Sequence, residues 1–141
     1  MHEEDKTRSW MCGLVAALVV ALSGCMTSKE TPADPNEFPK DYKDQIILFI
    51  PRLIAFPTKI RDAAISEPAL TPIGGTSRYV SCVRFTPRVN ETQYGATETR
   101  IAYFVEGRIS QFNPATKEQC GTAAYKPFPE LEKLCPSGDC K

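Results

Sequence analysis

A chain of 141 residues with 17 Lys and Arg against 17 Asp and Glu is formally neutral, and no basic run gives it a nucleic-acid footprint. Its one histidine, His2, and its one tryptophan, Trp10, both lie in the first ten residues. Everything beyond them lacks the imidazole on which most acid–base mechanisms rest, which weighs against an enzyme.

From Met11 to Leu22 the chain is almost wholly apolar, preceded by Lys6 and Arg8. That run is shorter than the about 20 residues a helix needs to cross a bilayer core. A short apolar stretch closing on small residues is the pattern of an export signal, although Glu3, Glu4 and Asp5 offset the two basic residues ahead of it. The stretch ends Leu22-Ser23-Gly24-Cys25, and this tetrapeptide resembles the lipobox of bacterial lipoproteins. The resemblance implies a signal peptide over residues 1–24, cleavage between Gly24 and Cys25, and a diacylglyceryl group on the Cys25 thiol that anchors the chain to a membrane. Two acyl chains suffice for stable anchoring. Met26, where an aspartate would stand otherwise, resembles the pattern of sorting to the outer membrane, so the expected address is the cell envelope, facing the periplasm.

Residues 25–39 hold the anchor cysteine and MTSKETPADPNEFP, which is polar and carries three prolines. Such a composition predicts a flexible tether, reaching roughly 45–50 Å when extended. A single domain is expected over residues 40–141. In DYKDQIILFIPRLIAF, Tyr42, Ile46, Phe49, Ile50 and Leu53 recur at helical spacing, which predicts an amphipathic helix over about 39–55 with a kink or early end at Pro51. A short strand over 59–65 follows, then a loop in EPALTPIGGT, where Pro68, Pro72 and Gly74-Gly75 break regular structure. SRYVSCVRF alternates, placing Tyr79, Ser81, Val83 and Phe85 on one face and Val80, Cys82 and Arg84 on the other. Residues 86–97 form a polar loop. Residues 99–112 predict a hairpin turning at Glu106-Gly107. Asn113-Pro114 reads as a helix start running to about Ala124, and FPELEKL as a last short helical turn. The expected fold class is α+β, with the N-terminal helix packed on a three- to four-stranded antiparallel sheet and a short C-terminal helix.

Cys82, Cys120, Cys135 and Cys140 remain after the leader and anchor cysteines are set aside, an even number suited to an oxidising compartment. Four cysteines allow three pairings. Cys82 with Cys120, and Cys135 with Cys140 around PSGD, is the favoured one. Zinc is the alternative, but the spacings fit no common finger or ribbon.

The stretches IRDAAISEPAL, GGTSRYVSCVRF, RIAYFVEGRISQF and PFPELEKL resemble a group of small envelope lipoproteins of rhizobia-like alphaproteobacteria. That resemblance implies the envelope address and the limits of the folded domain, and brings no activity with it. A weaker likeness runs to small envelope modules with one helix on a three-stranded sheet, outer-membrane assembly lipoproteins among them. It rests on architecture, which does not give function.

Ser77, Ser81 and Ser110 are the available nucleophiles, with no histidine as base and no Ser-x-x-Lys motif, and Glu130 with Glu132 is a pair of carboxylates on a terminal turn. No catalytic residue, metal or cofactor is expected. Arg78, Arg84, Arg88, Arg100 and Arg108, with Tyr79, Tyr94 and Tyr103 among them, fall on or beside the predicted strands. Guanidinium and phenol combine apolar area with polar contact, which makes these residues interface candidates. The competing reading pairs the arginines with Glu91, Glu98 and Glu106 across the hairpin. The function expected is a membrane-anchored, non-catalytic module binding another envelope protein or a cell-wall glycan. An inhibitor of a lytic enzyme, or a histidine-independent hydrolase, is the alternative.

Overall fold

The structure is a computed structural model that describes residues 34–138, all within one folded unit, Pro32–Lys141. The signal peptide, the cleavage site at Gly24 and Cys25, the tether before Asp34, and Cys140 lie outside the described residues. Elements run in the order α1 (Tyr42–Phe49), a 3₁₀ turn (Ile50–Arg52), β1 (Phe56–Ser66), β2 (Ala69–Ile73), β3 (Thr76–Arg88), β4 (Glu98–Val105), β5 (Arg108–Pro114), α2 (Lys117–Cys120), β6 (Tyr125–Pro127) and α3 (Pro129–Glu132). Six antiparallel strands form one sheet in the order β5-β4-β3-β1-β6, with β2 also paired to β3. The α+β class stands, with more strand and less helix than the sequence patterns indicate.

The predicted first helix is real but short. Its α-helical part stops at Phe49, and Pro51, which cannot donate a backbone hydrogen bond, sits in the 3₁₀ turn that follows. The predicted strand at 59–65 is longer, and bulged twice against β3, with Lys59 and Asp62 at positive φ.

EPALTPIGGT is not all loop: Ala69–Ile73 pairs with Thr76–Val80 through a turn in which Gly74 and Gly75 both have positive φ, as a tight two-residue hairpin turn requires. Pro72 is tolerated because β2 is hydrogen-bonded to β3 alone. The hairpin at Glu106-Gly107 is present, again with both residues at positive φ. The loop expected over 86–97 begins later, since β3 continues to Arg88.

The helix predicted from Asn113-Pro114 to Ala124 is the largest correction. Asn113 and Pro114 complete β5, paired with Ile101 and Arg100. Helix α2 is capped three residues on by Thr116, in a capping box with Gln119. It ends at Cys120, and Tyr125–Pro127 then joins the sheet beside β1.

Strand alternation sorts the core into two clusters. The larger holds Val83 and Phe85 of β3, Ala102 and Phe104 of β4, Phe112 of β5 and Ile65 of β1, together with Ile46 and Ile50 from the first helical segment and Phe128 and Leu131 near α3. Each fully buried side chain of this size contributes about 1.5–3 kcal/mol relative to exposure. The smaller cluster holds Val80, Cys82, Ile101 and Cys120.

Candidate interaction face

The side of the sheet bearing the smaller cluster is the candidate site. Positions alternate along β3, so Arg78, Val80, Cys82 and Arg84 share this side. Cys82 is bridged to Cys120 at the end of α2, an S–S bond of 1.99 Å spanning 38 residues of sequence. Cys135 is also disulfide-bonded.

The bridge holds α2 against the face. Gln119, which closes the capping box through the Thr116 N–H (2.8 Å), also donates from Nε2 to the Tyr103 hydroxyl at 3.0 Å. The Tyr125 hydroxyl donates to the Cys120 carbonyl at 3.3 Å, and the Arg84 guanidinium lies over the Tyr125 ring, 4.8 Å from its centroid. Burial pushes the Tyr125 phenol above its ordinary value of 10.0, against the opposing pull of Arg84.

Four of the eight interface candidates meet here. Arg78 precedes the Tyr79–Phe104 pair and Val105 follows it, while Val105 is paired with Arg108. Arg78 and Arg108 therefore flank Val105, two strand spacings or about 10 Å apart. Tyr103 lies one row on, opposite Val80. Arg84 stands six residues from Arg78 along β3, roughly 20 Å. Arg78, Arg84 and Arg108 have no ion pair among the described residues. The Arg78 Nη1 atom is buried with no hydrogen-bond partner among the described residues.

The other four candidates lie elsewhere. Tyr79 packs against the larger cluster and meets Phe38 edge-on at 5.2 Å. Arg100 is drawn to the opposite side over Phe112 and bonds Glu98 at 3.1 Å, so its carboxylate partner is a neighbour on its own strand and not one across the hairpin. Arg88 bridges to Tyr94 at the far end of β3, where the Tyr94 hydroxyl donates to the Lys59 carbonyl at 2.8 Å and Arg61 lies 4.0 Å over its ring.

Strand positions of the face add Thr71, Gln111 and Asn113 around the arginines, and Asn113 donates to Gln111 at 3.2 Å. Tyr125 and the amides Gln111 and Asn113 were missed by sequence reasoning. Alternation in RISQFNP around the buried Phe112 is the signal that would have found the amides. Tyr125 is marked only by the short AAYKP run between Gly121 and Phe128.

Chemistry elsewhere is engaged in structure. Ser81 is fully buried and donates to the Ser66 carbonyl at 2.7 Å, and Ser110 donates to the Tyr103 carbonyl. Glu132 accepts from the Ala63 N–H, and Glu130 pairs with Lys43 at 3.5 Å. No group of three or more His, Cys, Asp and Glu among the described residues is disposed to hold a metal. No helix among them is long and apolar enough to cross a membrane. A cleft of about 570 Å³ opens beside the β4–β5 turn, lined by Glu37, Asp41 and Glu106 together with Lys40 and Arg108. Compared with known proteins, the chain matches no family model, no curated protein and no solved structure at a significant level.

Proposed function

We propose that this protein is an envelope lipoprotein, held to the membrane by lipid on Cys25, and that its folded domain is a non-catalytic interaction module. The observation that carries the reading is that Arg78, Arg84 and Arg108, which have no ion pair among the described residues, lie with Tyr103 on one side of the sheet, while the other side is occupied by the main core. The first helix and α3 serve as the cover of that core, which leaves the arginine face for contact. Two disulfide-bonded regions suit an oxidising compartment, in keeping with export.

Crosslinking in intact cells, followed by affinity capture of the full chain from detergent-solubilised envelope, tests this. A defined envelope component recovered with the native chain, reduced by Cys25→Ser and abolished by Arg84→Glu/Arg108→Glu, supports the module. Recovery of the chain alone, or of the same component with every variant, contradicts it.

A further inference from the structure

We propose that the arginine face binds a carboxylate-bearing glycan of the cell wall, with Arg78 and Arg108 gripping one anionic group across Val105 and Arg84 taking a second. This rests on the interaction-module reading above and names its partner.

Charge is the first argument. Three arginines share the face with no ion pair among the described residues, and the strand rows around them supply Thr71, Gln111 and Asn113. Acidic groups enter at the margins: Asp62 sits on the β1 bulge, 3.4 Å from the Thr86 hydroxyl, Glu118 lies in the first turn of α2, and Glu37, Asp41 and Glu106 line the cleft that Arg108 borders at the β4–β5 turn. Arg78 is half-buried, and its Nη1 has no hydrogen-bond partner among the described residues, so part of its guanidinium is already desolvated before any ligand arrives. The guanidinium fork matches a carboxylate in two parallel hydrogen bonds. With a strand spacing of about 5 Å, Arg78 and Arg108 stand close enough for both to reach a group over Val105.

The second argument separates a glycan from a protein. Protein interfaces are organised around a desolvated apolar centre with aromatic anchors. The exposed large apolar side chains Phe38, Leu48, Leu53, Leu70 and Val89 all lie off this face: Phe38 and Leu70 beside Tyr79, Leu48 and Leu53 about the first helix and its 3₁₀ turn, Val89 past the end of β3. What the face presents around its arginines is planar amide and hydroxyl, the complement of a hydroxyl-rich polymer carrying periodic anions. The rings of Tyr103 and Tyr125 are half-buried there, in fixed orientations set by Gln119 and Cys120.

The test is co-sedimentation of the full lipidated chain, in detergent, with purified cell-wall sacculi. Three ligand arms are used: native sacculi, sacculi whose carboxylates are capped as methylamides, and native sacculi at high salt. The account expects sedimentation with native sacculi, its loss on capping, and weakening by salt as screening shortens the reach of each charge. Arg78→Gln/Arg108→Gln is expected to bind about tenfold more weakly or worse. Arg52→Gln/Lys133→Gln, which removes the same charge from other surfaces, should bind as the native chain does. Equal binding to capped sacculi, or no binding to native ones, overturns the proposal, and these arms do not depend on any variant folding. Failure on sacculi together with capture of an envelope protein through Arg84 and Arg108 overturns the glycan alone and leaves the module reading standing. Failure of both overturns both.

Discussion

Replacing Cys82 and Cys120 together by alanine tests how the candidate face is built. The bridge closes 38 residues of chain, and constraining a loop of that length in the unfolded state is worth about 4 kcal/mol at 25 °C. Cys135 is untouched in this variant, so the comparison isolates one bridge. Both cysteines are buried in the smaller cluster, and the lost sulfur contacts add to the effect rather than offset it. Equilibrium urea unfolding of the two proteins should show a loss of about 3–5 kcal/mol. Helix α2 has four residues, far below the length at which a helix persists unaided, so its capping box and the Gln119–Tyr103 contact depend on the bridge. Amide exchange at Cys120 and Gly121 should therefore rise well beyond what the global loss accounts for. A loss below about 1 kcal/mol, with protection of those amides unchanged, would refute the reasoning.

Phe85→Ala, at a fully buried position of the main core, is expected to cost about 3–5 kcal/mol in chemical unfolding. Gln45→Ala removes the side chain that accepts from the Ile109 N–H at 2.6 Å and donates to the Gly107 carbonyl at 2.9 Å. It should cost about 1–3 kcal/mol and expose the Ile109 amide to exchange. Glu67 accepts from Lys126 at 2.6 Å, and this hydrogen bond, with the lysine charge, holds its carboxyl below the ordinary 4.5. A lowered folded-state value means that the pair's contribution is present above pH 4.5 and fades as pH falls through the folded midpoint. A carboxyl-carbon NMR titration should place the Glu67 midpoint below 4.5, and Lys126→Met should return it there.

Where the polypeptide alternates cleanly, sequence and structure agree. SRYVSCVRF and TRIAYFV fall on the two sides of the sheet by parity, and the pairing of Cys82 with Cys120 follows from that placement and the short helix behind it. Disagreement gathers at prolines. Pro72 reads as a breaker and Pro114 as the first residue of a helix, yet each occupies a strand with an unpaired edge, where a missing N–H costs nothing. Asn113-Pro114 is a good local helix start, and strand pairing with Ile101 and Arg100 overrides it. Thr116-x-x-Gln119 was the better signal, since both halves of a capping box are written there.

The site was legible as a composition but not as a surface. Arginine and tyrosine on strands pointed to an interface, and the parity of β3 and β4 then divided them, sending Arg100 to Phe112 and Glu98 while keeping Arg78, Arg84 and Tyr103 together. Arg108 joins them only because the two-residue turn at Glu106-Gly107 sets it opposite Val105. No local pattern reveals that an arginine nitrogen is buried without a partner, because burial depends on strands distant in sequence.

The central claim is that contact is made through the arginine face, and site-specific photocrosslinking in intact cells tests it most directly. A photoreactive residue at Gln111, exposed beside Tyr103, is compared with one at Leu48, 69% exposed on the first helix. The account predicts adducts with envelope material from position 111, diminished by Arg78→Gln/Arg108→Gln, and none from position 48. Adducts from position 48 with none from position 111 would contradict it.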